Sequence, residues 1–139
     1  MQPIVISANL ADIDLIKDYL VEAGRKVGLC SQKLYKLRLA VDELATNIIT
    51  HGYNQDNTPD ALKIQAKPAQ DNLTLCLEDR AKPFNPFSAV SPDLTLPLEQ
   101  RIIGGLGIEL IKSSVDKFYY ERVGNHNFNT LVMLLEKSA

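Results

Sequence analysis

Three side chains able to bind a ligand or transfer a proton lie four residues apart in AVDELATNIITHGY, residues 40 to 53. They are Glu43, Asn47 and His51. Positions four apart share one face of an α-helix, so the row predicts a polar face on a helix. A carboxylate and an amide supply the oxygen ligands that a hard cation such as Mg²⁺ takes, which suits a magnesium-bound phosphate. The alternative is the polar edge of an amphipathic helix with no ligand.

Two later stretches also carry residue types suited to ligand binding. In CLEDRAKPFNP, Asp79 stands where an alternating apolar run ends, and there a carboxylate could accept from the exocyclic amine of a purine. The GGLG run, residues 104 to 107, precedes a helical pattern. Small residues there let the backbone approach a phosphate, and a helix N-terminus attracts anions. The alternatives are a turn aspartate and a glycine-rich helix cap.

The hydrophobic periodicity predicts the order β-α-α-β-β-loop-α-β-β. A first helix is predicted to stop at Gly24, and a long helix over roughly 32–51 has Ser31 as its N-cap and ends at Gly52. The fold class predicted is α+β, a two-layer sandwich of a mixed, mostly antiparallel sheet with helices on one face. One domain is expected over 1–139, with an aperiodic, proline-rich loop at about 81–105 that is typical of a lid.

Composition limits the class of protein. The 139 residues are 45% hydrophobic, enough for one core, and carry a net charge of −2. That charge argues against direct nucleic-acid binding, which favours a strongly basic surface. The two cysteines, Cys30 and Cys76, favour reduced thiols in a cytoplasmic protein, although a disulfide between them is left open. The sequence shows no signal peptide and no membrane-spanning run, so no membrane partner is expected.

Taken together, the three stretches resemble the GHKL-type ATP-binding domain of gyrases, Hsp90 chaperones, mismatch-repair ATPases and histidine kinases. AVDELATNIITHGY, DRAKPFNP and GGLGIELIKSSVDKFYYE are most similar to motifs of the bacterial anti-sigma-factor serine/threonine kinases. The resemblance covers roughly residues 3 to 136. It implies ATP and Mg²⁺ as cofactors and a lid over the phosphates.

The resemblance also implies roles for individual residues. Glu43 is the general base toward the hydroxyl of a protein substrate, Asn47 is the magnesium ligand, and Asp79 receives the adenine amine. The positions implied in nucleotide binding are Asn47, Asp79, Ala81, Phe84, Gly105, Leu106, Gly107 and Thr130.

Three further residues need comment. The family usually has glycine where this chain has Ala81. That alanine is expected either to strain the backbone, if φ is positive there, or to narrow the adenine pocket. His51 is expected to border the pocket with a structural role, and Arg101 is expected to be a solvated lid residue that could reach a γ-phosphate.

Two functions follow from the resemblance. One is an ATP-dependent serine/threonine protein kinase acting as an anti-sigma factor, which phosphorylates an anti-anti-sigma (STAS-domain) partner. A sigma factor and a second copy of the chain, in a homodimer, are further partners to be expected. The other is a partner-binding module of the same fold with weak or no turnover, which Ala81 favours.

Overall fold

The computed structural model describes residues 1–83 and 103–135, which contain five strands and three α-helices. The strands are β1 (Ile4–Ile6), β2 (Leu62–Pro68), β3 (Asn72–Asp79), β4 (Lys117–Val123) and β5 (His126–Leu134). The helices are α1 (Ile13–Val27), α2 (Ser31–Asn47) and α3 (Ile103–Ser114). A 3₁₀ turn (Leu10–Asp12) precedes α1, and a π-helical turn (Ile48–Gly52) continues α2. Within the described ranges, every helix is too short or too polar to cross a membrane.

The five strands form one sheet in the order β1-β2-β3-β5-β4. Each pair of neighbouring strands is antiparallel, so the predicted α+β class is confirmed and the sheet among the described strands is antiparallel rather than mixed. The chain runs from β4 to β5 through a tight hairpin, and β5 then lies between β3 and β4. In the resulting register, Asp79 at the end of β3 stands directly opposite Asn127 of β5.

The hydrophobic core lies between one face of this sheet and the helices. Alternate residues of β3 are buried, as expected for a strand with one covered face. The apolar residues Leu37, Val41, Leu44 and Ala45 of α2 are buried, and so is Ile49 of the π-turn that follows. Burial of apolar surface of this kind is the main favourable term in folding.

Helix α1 is longer than the sequence pattern predicts. Gly24 does not end it but lies buried within it, where a Cβ would meet Leu34 at 3.3 Å. The helix ends instead at Gly28, whose φ of 68° is the left-handed conformation that glycine adopts without steric cost. The position of Gly24 is therefore explained by close packing of α1 against the start of α2.

Helix α2 begins and ends differently from the prediction. Cys30 is its N-cap residue, without a side-chain capping bond, and Ser31 is the first helical residue. At the other end the backbone N–H of Tyr53 donates to the carbonyl of Ile48 at 3.1 Å, five residues back instead of four. Such a π-turn inserts one extra residue and rotates the face of everything that follows.

Helix α3 begins at Ile103, so the GGLG run lies inside its first turns rather than before it. Backbone positions are described from 103 onward, and side chains from Gly107 onward. The expected lid falls mostly on residues 84–102, outside the described residues, together with Phe84 and Arg101.

Cys30 and Cys76, both in the described part of the chain, are not joined by a disulfide. Cys76 lies in β3, whereas Cys30 precedes α2. The alternative of a disulfide is thus not realised.

Candidate functional site

A cleft lies where α2, α3 and the adjoining ends of β3 and β5 meet. We call it the central cleft. Its apolar walls include Leu44 and Ile48 from the α2 side and Ile108 from α3. Its polar lining includes Asp79 and the side-chain amides of Asn47, Asn127 and Asn129. Apolar walls with a few convergent polar groups are typical of a site for a small organic ligand.

Asp79 is buried at the end of β3, with 3% of its surface exposed. Its Oδ1 accepts from Asn127 Nδ2 at 2.8 Å and from the backbone N–H of Ala81 at 3.0 Å. Burial raises the pKa of this carboxyl, and the hydrogen bond from Asn127 and the nearby charge of Arg122 act in the opposite direction. Among the described residues, both hydrogen bonds that the Asp79 side chain accepts go to Oδ1. Oδ2 is therefore left to accept from a donor on a ligand.

Asn127 is a site residue that the sequence reasoning missed. It is 3% exposed and lines the same cleft as Asp79. The signal that could have found it is the alternation in HNFNTLVML. Since Leu131 and Met133 face the core, Asn129 and Asn127 must face the same side. Asparagine is uncommon inside strands, so two on a buried face point to a polar site.

The same alternation corrects the prediction for Thr130. Its neighbours Asn129 and Leu131 are buried, so Thr130 lies on the opposite face of the sheet, away from the central cleft. There it pairs in register with Cys76 and hydrogen-bonds to that thiol. A shift of one residue along a strand moves a side chain to the other face, which is why an uncertain register placed the wrong residue in the site.

Asn47 lies at the end of α2 and lines the central cleft, with 7% of its surface exposed. Within residues 1–83 and 103–135, its Nδ2 has no hydrogen-bond partner, and neither has Oδ1 of Asn129. Buried polar atoms without partners cost free energy, so such atoms in a cleft indicate a site whose partners come with a ligand.

The donor set limits how a metal ion could be held. The described residues contain no cluster of three or more His, Cys, Asp or Glu side chains. That does not fit a cation enclosed by protein ligands alone. It fits a Mg²⁺ that keeps water and ligand phosphates as most of its ligands, with the amide oxygen of Asn47 as a protein ligand.

Glu43 and Gly107 are brought together by the packing of α2 against α3. A Cβ built on Gly107 would overlap the carboxylate of Glu43, whose Cδ would be only 2.8 Å away. Glycine at 107 therefore lets α3 approach this carboxylate, and a larger residue there would force the Glu43 side chain to move. Glu43 is half-buried, one turn before Asn47 on α2.

Ala81 does not have the strained backbone that was one of the two expectations. Among the described non-glycine residues, positive φ occurs only at Asn54, Gln55, Asn57 and Asp60, so Ala81 needs no glycine conformation. The other expectation, a narrowed pocket, agrees with its position. Its methyl group is buried in the lining of the central cleft and lies 2.8 Å from where a Cβ on Gly52 would be.

The structure places His51 outside the central cleft. Its side chain is exposed, so the expected structural role at the pocket border is wrong. The cause is the π-turn at Ile48–Gly52, which breaks the four-residue repeat that would have continued the face of Glu43 and Asn47. Gly52, one residue later, lines the cleft instead.

Tyr53 was also missed, and it joins three segments around the site. Its hydroxyl donates to the carbonyl of Ala61 at 2.7 Å and accepts from the backbone N–H of Arg80 at 2.8 Å. Tyr53 follows the π-turn, while Arg80 follows Asp79, so one side chain ties the end of the α2 region to the end of β3. Gly105 and Leu106 lie in the first turns of α3, where only the backbone is described.

Comparison with known proteins agrees with this geometry. The family of histidine kinase-like ATPase domains matches residues 6–135. The serine/threonine-protein kinase BtrW of Bordetella bronchiseptica is 27% identical over 97 residues, covering 70% of this chain and 68% of that protein. The serine-protein kinase RsbW of Bacillus subtilis is 26% identical over 126 residues, covering 87% and 76%.

Two solved structures share the fold at lower identity. The RsbU and RsbW domains of a Mycobacterium tuberculosis protein match with a TM-score of 0.71 and 16% identity over 99% of this chain, which spans 33% of that longer chain. The histidine kinase AdeS of Acinetobacter baumannii matches with a TM-score of 0.53 and 13% identity, covering 99% of this chain and 69% of that one. Because the family match covers residues 6–135, with strands β2 to β5, the three helices and the central cleft, the chain belongs to the histidine kinase-like ATPase domain family.

Proposed function

We propose that this protein is an ATP-dependent serine/threonine protein kinase that acts as an anti-sigma factor. The observation that carries the proposal is the buried carboxylate of Asp79, which has Oδ1 bonded to protein donors and Oδ2 left to accept from a purine amine. Two relatives named as serine/threonine- or serine-protein kinases match this chain over most of their length, which supports the kinase activity.

Adenine is the base that this site suits. Its exocyclic amine donates to an ionised carboxylate, whereas guanine presents an acceptor oxygen at the corresponding position. The apolar walls formed by Leu44, Ile48 and Ile108 suit the faces of a flat ring. ATP should therefore bind in preference to GTP.

Asn47 and Glu43 would then act at the phosphate end. Asn47 would hold a Mg²⁺ bound to the phosphates through its amide oxygen, and the ion would neutralise the charge that develops during phosphoryl transfer. Glu43 would accept the proton of the attacking hydroxyl. General-base catalysis contributes typically about 10²- to 10⁴-fold to such a rate.

The substrate that we propose is a serine or threonine of an anti-anti-sigma protein with a STAS domain. Release or capture of a sigma factor would follow from whether that partner is phosphorylated. A relative named serine-protein kinase RsbW supports a serine of a protein as the acceptor. The corresponding alternative is a binding module that holds a partner without turnover, and the methyl group of Ala81 in the cleft lining favours it.

Transfer of labelled γ-phosphate to a co-purified partner distinguishes the two functions. The parent should transfer phosphate, and Glu43→Gln should lower the rate by about 10²- to 10⁴-fold while ATP affinity changes by no more than a few-fold. Asp42→Asn is the matched control, since Asp42 is the preceding carboxylate of α2 and pairs with Arg38 at 3.8 Å.

Each outcome decides between the functions. Parental transfer by Glu43→Gln would remove Glu43 as the base. A parent that binds ATP and its partner but transfers no phosphate would establish the binding module. A parent that binds no nucleotide at millimolar concentration, with Mg²⁺ present, would overturn both.

A further inference from the structure

The side chain of Asn127 makes more hydrogen bonds than that of Asp79, the residue proposed to bind the base. Its Nδ2 donates to Asp79 Oδ1 at 2.8 Å and to the carbonyls of Ala81 and Lys82 at 3.1 and 3.3 Å. Its Oδ1 accepts from the Tyr120 hydroxyl at 2.6 Å and from Arg122 Nη1 at 3.0 Å. One buried amide thus connects β4, β5 and the segment that follows β3.

The partners of Asn127 leave only one orientation for its amide. A guanidinium can only donate, so the atom facing Arg122 must be the amide oxygen. An ionised carboxylate can only accept, so the atom facing Asp79 must be the amide nitrogen. A rotation of the amide by half a turn would place its nitrogen against the Arg122 guanidinium and its oxygen against three acceptors, Asp79 Oδ1 and the carbonyls of Ala81 and Lys82.

Asp79 is held in turn by this fixed amide. Nδ2 of Asn127 and the backbone N–H of Ala81 both donate to Oδ1, so this oxygen acts as an acceptor and the second oxygen is left for a ligand. Arg122 also donates to the carbonyl of Ala81 at 3.1 Å, which fixes the backbone carrying that N–H.

We infer that Asn127, oriented by Arg122 and Tyr120, is a positioning residue that sets the base selectivity of the site by keeping Asp79 an acceptor. This inference rests on the proposed nucleotide binding. None of the three residues needs to touch the ligand. Their effect is carried to the base by the carboxylate, because an acceptor there favours the adenine amine over the guanine carbonyl.

The Asn127→Asp variant gives the sharpest test. It preserves size and the acceptor facing Arg122 and Tyr120, but it places a second carboxylate against Asp79. Two carboxylates in contact do not both stay ionised, and a proton taken up on Asp79 Oδ2 presents an O–H donor that suits the guanine oxygen. We expect ADP affinity to fall and the preference for ADP over GDP to drop by about tenfold or more, the effect of one exchanged charge-assisted hydrogen bond.

Two milder variants keep the test independent of folding. Arg122→Gln and Tyr120→Phe each remove one donor to Asn127 Oδ1 and leave Asp79 and Asn127 in place. Both should reduce the ADP-to-GDP preference in the same direction by a smaller factor. Thr130→Val is the control, because it alters β5 on the opposite face of the sheet and should leave the preference unchanged.

The measurement is the pair of dissociation constants for ADP and GDP in each variant, by calorimetry with Mg²⁺ present. If folded Asn127→Asp keeps the parental ratio within about twofold, the inference is overturned. If that variant does not fold, parental ratios in both Arg122→Gln and Tyr120→Phe overturn it. A parent that binds ADP and GDP equally also overturns it, whereas a parent that binds neither overturns the proposed function itself.

Discussion

At the scale of single residues, Asp79 combines a functional group with a cost in stability. Burial raises the pKa of this carboxyl above its ordinary value of 3.8, so the folded state favours the protonated form. Protonation of Asp79 therefore stabilises the folded state. This stabilisation is fully present below the pKa that Asp79 has in the unfolded chain, and it is lost as the pH rises through the raised pKa of the folded state. At neutral pH the ionised Asp79 therefore destabilises the folded protein.

Replacing Asp79 with asparagine should separate these two effects. Asp79→Asn should weaken ATP binding, since the new amide can present a donor to the adenine amine, yet it should raise the unfolding temperature at neutral pH. The gain should shrink as the pH is lowered toward 3.8, the ordinary value for aspartate. Thermal unfolding at several pH values measures this. A variant less stable than the parent at neutral pH would show that the hydrogen bonds to the carboxylate outweigh its burial.

At the scale of elements, the π-turn after α2 and the segment after β3 meet at two small residues. A Cβ on Gly52 would lie 2.8 Å from the Cβ of Ala81, closer than two such carbons pack. The pair therefore has room for one methyl group. In this chain the methyl group is on the segment that follows Asp79.

Moving the methyl group should change nucleotide affinity without disrupting the fold. Ala81→Gly should strengthen ATP binding by relieving the cleft, at a cost in unfolding free energy of about 0.4–1 kcal/mol from chain entropy. Gly52→Ala alone should weaken binding and lower stability, because one of the two segments must shift.

The double variant supplies the decisive comparison. With Gly52→Ala and Ala81→Gly together, stability should return close to that of the parent, and the coupling between the two changes should be clearly favourable. Additive effects in ATP affinity and in unfolding temperature would mean that the two methyl positions do not compete for space. An unchanged affinity in Ala81→Gly alone would show that the alanine does not hinder the base.

At the scale of the whole molecule, ligand binding should appear as added stability. With Mg²⁺ and ATP at a hundred times the dissociation constant, the unfolding free energy should rise by about 2.7 kcal/mol. Asn47→Leu removes the unpartnered buried amide, so the variant without ligand should be no less stable than the parent. It should nevertheless lose most of the stabilisation by ATP.

Thermal unfolding with ATP, in Mg²⁺ and in EDTA, tests this expectation. Thr46→Ser, a change at the preceding residue of α2, serves as the control and should keep the full stabilisation. Equal stabilisation of Asn47→Leu and the parent by magnesium ATP would exclude Asn47 as a metal ligand.

The fold and the main site residues follow from the sequence where regular periodicity applies. Glu43 and Asn47 lie on an uninterrupted helix, and Asp79 ends a strand whose alternation is clear, so local patterns place them well. The errors occur where periodicity is interrupted or its phase is ambiguous. The π-turn displaced His51, and a one-residue uncertainty in β5 exchanged Thr130 for its buried neighbours.

Other features depend on contacts that no local pattern contains. Gly24 signals a helix end by propensity, but packing against Leu34 keeps it inside α1. The network around Asn127 requires the pairing of β3 with β5, which are far apart in sequence. Long-range pairings of this kind are decided by the whole fold, so only the structure could show that Tyr120 and Arg122 support the site.

The position of β5 in the sheet has a consequence for synthesis on the ribosome. This strand emerges after β4, yet it must insert between β3 and β4, so neither of them has its full set of neighbours before it appears. Asp79 and Asn127 are 48 positions apart, and closing so long a segment is slow compared with local helix formation. The end of the central cleft that holds Asp79 and Asn127 is therefore completed late. A nascent chain should be protected by added nucleotide only once β5 has left the exit tunnel. Until then, the exposed edges of β3 and β4 are the segments most open to chaperones and to mispairing.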